Sequence, residues 1–152
     1  MRTLKESIEI NVPPEKIWEW LLNFAENYCN WHPNHIKAYW KKGVPNEIGS
    51  IMYAEETVIP GEVLKMTSKI AKLMPNKIYE FKTLKSLGML MPKGSFQIEP
   101  KERGCIFIAT LDFRMGNFLN KFAKKSVGFI QNHMKEEGQN LKKILESQNN
   151  PH

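Results

Sequence analysis

Along residues 4 to 12, Leu4, Glu6, Ile8, Ile10 and Val12 alternate with their neighbours at period two, which predicts a half-buried strand. The period changes at Pro13-Pro14-Glu15-Lys16-Ile17-Trp18-Glu19-Trp20-Leu21-Leu22, where proline and an acid open a run of apolar residues at helical spacing. A second short helix over Phe24 to Asn30 is closed by Trp31-His32-Pro33, because the residue before a proline is pushed out of the helical region. From His35 to Phe113 come about six strands, at 35 to 42, 49 to 58, 62 to 72, 77 to 85, 93 to 99 and 104 to 113. The turns between them (Gly43 to Asn46, Pro60-Gly61, Pro75-Asn76, Gly88 to Pro92, Pro100 to Gly104) are short connections that join antiparallel neighbours, so the sheet is expected to be a meander. The apolar segment Leu87-Gly-Met-Leu-Met-Pro92 reads either as a gate to a cavity or as a hairpin turn.

The last long segment has period 3.6. Leu119, Phe122, Ser126, Ile130, His133, Glu137, Leu141 and Ile144 share one helical face, so the apolar stripe runs into a histidine and a glutamate one turn apart. An unpaired carboxylate in an apolar interior costs several kcal/mol or protonates, so Glu137 asks for a cation, a metal or a hydrogen-bonding ligand beneath the helix. Gly128 and Gly138 weaken this helix by about 1 kcal/mol each relative to alanine, which close approach of the sheet or a ligand would justify. Residues 1 to 147 read as one domain and 148 to 152 as a disordered tail.

Composition narrows the function classes. A chain of 152 residues with 41% hydrophobic and 11% aromatic residues has material for one real core. The net charge of +6 comes from lysines scattered in runs no longer than two, which predicts a solvated surface and no nucleic-acid partner. Cys29 and Cys105 form neither a disulfide framework nor a thiolate zinc site, and with no apolar run near the ~18 residues of a bilayer span the expectation is a cytoplasmic protein without membrane insertion.

The candidate chemistry comes from pairing the helical His-x-x-x-Glu with upstream donors. Trp31-His32-Pro33-Asn34-His35 presents two imidazoles where the short helices hand over to the sheet. In Ser50 to Val58, alternation puts Met52, Ala54, Glu56 and Val58 on the more apolar face, so Glu56 points inward and Glu55 outward. His35, Glu56, His133 and Glu137 together make a two-histidine, two-carboxylate set suited to Zn²⁺, with Fe²⁺ or Mn²⁺ as alternatives. Against this, His35 would share a strand face with Lys37, Tyr39 and Lys41, and His32 is the other candidate from that segment. The metal-free alternative makes His133 a core histidine bonded to a carbonyl and pairs Glu137 with Lys65, Lys69 or Lys82.

The order of elements, the Pro-Pro-Glu-Lys-Ile-Trp opening of the first helix and the long terminal helix resemble the helix-grip superfamily of birch-pollen-allergen-like and START-like proteins. That resemblance implies an α+β fold, a curved antiparallel seven-stranded sheet with two short helices wrapped around a long C-terminal helix. It also implies a pocket for a small hydrophobic or aromatic ligand between the concave face and residues 116 to 146. The motif set further resembles the zinc-dependent diacetylphloroglucinol hydrolases, which implies His35, Glu56, His133 and Glu137 as metal ligands and a retro-Claisen-type C–C cleavage of an acylated aromatic or polyketide-like substrate. Zinc would lower the pKa of bound water from ~15.7 to about 7 and polarise a carbonyl. Tyr28 and His32 are the candidates for proton transfer or substrate orientation. Met52, Met66, Met74, Met89, Met91, Met115 and Met134 suit an adaptable cavity or plain core filling. The alternatives to a hydrolase are a non-catalytic carrier of a hydrophobic ligand and a metal-free aromatic cyclase or dehydratase.

Overall fold

A computed structural model describes residues 1–114 and 120–148. Strand β1 (Arg2–Ile10) leads into helices α1 (Pro14–Leu22) and α2 (Phe24–Trp31). Strands β2 (His35–Lys42), β3 (Ile51–Glu56), β4 (Leu64–Met74) and β5 (Ile78–Thr83) follow. Helix α3 (Lys85–Leu90), strands β6 (Lys93–Pro100) and β7 (Cys105–Phe113), and helix α4 (Asn120–Gln148) complete the chain. The sheet is seven-stranded and antiparallel in the order β1-β7-β6-β5-β4-β3-β2, a meander in which the first strand pairs with the last. This is the helix-grip architecture. Of the expected tail, Gln148 is the last residue of α4 and the remainder lies outside the described residues, as do the side chains of Met115, Leu119 and Phe122. Among the described residues no helix is long and apolar enough to cross a membrane.

The core forms where the alternating faces of the strands meet the apolar stripe of α4. Leu4 and Ile10 of β1, Phe107 and Ala109 of β7 and Ile98 of β6 pack with Ile130, Met134, Leu141 and Leu145 of the helix. Helix α1 starts with Pro14 in its first turn, where the missing N–H has no intrahelical partner to lose, and buries Ile17, Trp18, Trp20 and Leu21. The glycines in α4 have different surroundings. A Cβ on Gly138 would sit 3.3 Å from Ile8 Cγ2, so α4 approaches β1 there, whereas a Cβ on Gly128 would meet nothing within 4 Å.

Two local features depart from the expected pattern. Residues 85 to 90 form helix α3, in place of the end of a strand and the start of a loop, and Gly88 is what lets it close. A Cβ there would lie 2.2 Å from the Thr83 carbonyl oxygen, so only glycine fits. The second feature is a bulge in β2. His35 pairs with Glu56 and Lys37 with Glu55, so Ile36 is an extra residue between two successive pairs. The bulge breaks strict alternation: His35 is buried while Lys37 and Tyr39 stay on the exposed face.

Candidate metal centre

Three elements deliver four donor side chains to one point. Strand β2 supplies His35 behind its bulge, and Glu56 faces it as its register partner at the end of β3. Helix α4 supplies His133 and Glu137, four residues apart on its inward face. His35, Glu56 and His133 are buried and Glu137 nearly so. Glu55 points the other way, accepting from Tyr53 Oη at 2.8 Å and pairing with Lys37 at 3.3 Å.

The donor atoms converge. His35 Nε2 lies 3.0 Å from His133 Nε2, 3.4 Å from Glu56 Oε2 and 3.0 Å from Glu137 Oε2. His133 Nε2 lies 3.6 Å from Glu56 Oε2 and 3.4 Å from Glu137 Oε2. A tetrahedral ion with bonds of about 2.0–2.1 Å to nitrogen and oxygen separates its ligands by about 3.3–3.4 Å. The five separations bracket that value, and the donor set is one that Zn²⁺ accepts.

Hydrogen bonds behind the donors fix their orientation. His35 Nδ1 donates to the Tyr28 carbonyl at 2.7 Å, which aims Nε2 into the cluster. The same tyrosine donates its hydroxyl to Glu56 Oε2 at 2.5 Å and stacks on the His35 ring with centroids 3.9 Å apart. Burial, and then the Glu56 charge, push the Tyr28 pKa far above the ordinary phenol value, so it stays a donor. His133 Nδ1 is buried with no partner among the described residues, so the ring makes its polar contacts through Nε2. Burial pulls the His133 pKa down, but hydrogen bonds and attraction from Glu137 and Glu56 outweigh it and lift the value to about 10. Burial acts to raise the Glu137 pKa, while His133 and His35 together bring it below the carboxylate norm.

His32 takes a different place from His35. Its Nδ1 accepts the Asn34 backbone N–H at 2.9 Å, so its Nε2 carries the proton and points at Glu136 Oε1, 3.5 Å away on the outer side of α4. Its ring lies 4.2 Å from the His133 ring, and burial together with the neighbouring histidines holds its pKa below the usual imidazole value. Of the two histidines in the segment, His35 is thus the one that reaches the cluster. None of Lys65, Lys69 or Lys82 pairs with Glu137.

Sequence reasoning missed the clamp between α2 and α4. Trp31 Nε1 donates to the Glu137 carbonyl at 2.9 Å, and Asn140 Nδ2 donates back to the Trp31 carbonyl at 2.9 Å. The only signal for it is that a buried indole N–H needs an acceptor, which identifies a donor and not its partner.

The cluster forms the polar end of a cavity of about 120 Å³. Tyr28, Glu56 and Glu137 line that end, and Met66, Phe81, Phe96, Leu111 and Met134 are among the apolar residues of its wall. Met52 and Met91 also line it, whereas Met74 and Met89 are 39% and 73% exposed and belong to the surface.

Residues 1–146 match the family model for polyketide cyclase / dehydrase and lipid transport. No curated protein matches the chain in sequence. Among solved structures, a polyketide-cyclase-like protein of Corynebacterium glutamicum is 19% identical with a TM-score of 0.59, covering 96% of this chain and 92% of that one. A major latex-like protein of Panax ginseng is 14% identical with a TM-score of 0.71, covering 95% and 97%. An aromatase/cyclase from a Streptomyces species is 16% identical with a TM-score of 0.66, covering 94% and 95%. At these identities the likeness is one of fold.

Proposed function

The chain belongs to the polyketide cyclase / dehydrase and lipid-transport family, and we propose that this member is a divalent-metal hydrolase acting on a small hydrophobic carbonyl compound. The five donor separations of 3.0–3.6 Å carry the reading. His35, Glu56, His133 and Glu137 would hold the ion, zinc before iron or manganese. When bound, such an ion supplies Lewis acidity towards a carbonyl oxygen.

The remaining work falls to the chain. Tyr28 holds Glu56 through its hydroxyl and His35 through its carbonyl, which keeps both donors in place as ligand enters. The cavity wall is largely apolar, so a bound hydrophobic ligand would displace water from beside the cluster. His32 is neutral, and because both its ring nitrogens are directed outside the cluster, at the Asn34 N–H and at Glu136 3.5 Å away, it acts through its ring packed on His133, holding that donor in place. Resemblance of the ligand motif to the diacetylphloroglucinol hydrolases supports an acylated aromatic or polyketide-like substrate. In that reaction water adds across the acyl–carbon bond, the acyl group leaves as a carboxylate and the departing carbon takes a proton.

The other reading is a carrier of a hydrophobic ligand. It is favoured by the apolar cavity and by the way protonated His133 already offsets charge on Glu56 and Glu137. Elemental analysis of untagged protein beside H133A and E137A separates the two. About one zinc, iron or manganese per chain, lost in both variants, supports the hydrolase. Metal-free protein that takes up no zinc leaves the carrier.

A further inference from the structure

The cavity wall carries a second polar feature away from the cluster. On the concave face β4 presents Leu64, Met66, Ser68 and Ile70, and β5 presents Tyr79, Phe81 and Thr83. Ser68 and Thr83 are direct register partners and both line the cavity. Neither hydroxyl makes a side-chain hydrogen bond among the described residues, whereas the other polar hydroxyls nearby are engaged: Tyr79 donates to Asn46 Oδ1 at 3.2 Å and Thr110 bonds Ser95 at 2.6 Å. Both residues are half-buried, so a pair of hydroxyls side by side on the cavity wall can exchange water for a ligand's polar group.

Register fixes how far this pair lies from the cluster. Glu56 pairs with Leu64, and Met52 pairs with Ser68, so the hydroxyls sit four residues along β4 from the level of Glu56, roughly 13 Å at 3.3 Å per residue. Met66, paired with Ala54, lies between the two levels, and Ile70 with its partner Phe81 lies one step beyond the hydroxyls; all four line the cavity.

We infer that the ligand is an elongated, largely apolar molecule with a polar group at each end: a carbonyl at the His35–Glu137 cluster and a hydroxyl or second carbonyl held by Ser68 and Thr83. This rests on the proposed function for the first end only; the hydroxyl pair acts whether or not a metal is bound. The apolar wall around these groups, with Phe81, Phe96 and Leu111, fits an aromatic body.

The test uses two matched ketones, 4-butylacetophenone and its analogue with a hydroxyl on the last butyl carbon, titrated calorimetrically into wild-type protein and an S68A/T83V double variant. Wild type is expected to bind the hydroxylated ketone at least as tightly as the plain one. The variant should bind the plain ketone within about twofold of wild type and the hydroxylated one about tenfold more weakly, the net worth of a hydrogen bond. Equal preference in the two proteins, or no binding of either ketone, overturns the inference. Repeating the titration on zinc-loaded and chelator-treated protein keeps the two readings apart. If metal changes neither affinity while the hydroxyl preference persists, the metal reading fails and this one stands.

Discussion

At the scale of single residues, Tyr28 organises more of the cluster than any ligand does. Its hydroxyl and its carbonyl reach two different donors, and its ring covers one of them. Replacing it with phenylalanine removes the bond to Glu56 but keeps the ring and the carbonyl, so Y28F should fold and bind zinc about 10- to 100-fold more weakly. Competition with a chromophoric chelator measures this, and an unchanged affinity would mean that Glu56 needs no orienting partner. Protonation of the metal-free cluster makes a second prediction. The His133 pKa is raised from 6.5 to about 10, so its stabilising contribution is complete below about pH 6.5 and is lost as pH climbs through 10. The Glu137 pKa is lowered from 4.5, so its contribution is present above about pH 4.5 and is lost as pH falls. Chelator-treated protein should therefore resist urea best between about pH 4.5 and 6.5 and weaken toward pH 10, and H133Q should flatten that alkaline limb. Equal alkaline loss in both proteins would place the responsible group outside the cluster.

The secondary-structure elements show which parts of the site the sequence makes legible and why. Periodicity suffices where an element is regular: strand alternation puts Glu56 inward and Glu55 outward, and the 3.6-residue repeat puts His133 and Glu137 on the inner face of α4. It fails at His35, because the bulge at Ile36 depends on pairing with β3, and pairing is not written in the residues of one strand. It fails again at α3, whose six residues are too few to show a period and which forms because Gly88 fits against the Thr83 carbonyl. The clamp of Trp31 and Asn140 is invisible for a third reason, since its two ends are 109 residues apart. The glycines of α4 give a test at this scale. Gly128 has open space around it, so G128A should stabilise the protein by about 0.5–1 kcal/mol. Gly138 faces Ile8 at 3.3 Å, so G138A should gain less than G128A, and G138L should destabilise by about 1–3 kcal/mol through overpacking. Denaturant midpoints decide, and equal gains from both alanines would mean that β1 yields to α4 freely.

Across the whole molecule the cluster closes the grip. Helix α4 meets the β1 edge of the sheet through Ile8 and through Lys142, which donates to the Glu9 carbonyl at 2.9 Å. It meets the opposite edge, β2 and β3, through His35, Glu56, His133 and Glu137. A metal held there would join both halves of the chain and bind only when β2, β3 and α4 are assembled, so its binding free energy would become folding free energy. Zinc at a hundred times its dissociation constant would add about 2.7 kcal/mol, which for a chain of this size raises Tm by roughly 5–10 °C. The rise should grow with the logarithm of free zinc and vanish in H133A. Hydrogen exchange should slow in β2, β3 and the His133 turn of α4, and change less in β5 and β6, which contribute no donor. A zinc-independent Tm would mean that the imidazoles and carboxylates hold the edge to α4 by their own charges, as a ligand carrier requires. A rise without protection of β2 and β3 would mean that zinc binds elsewhere on the surface.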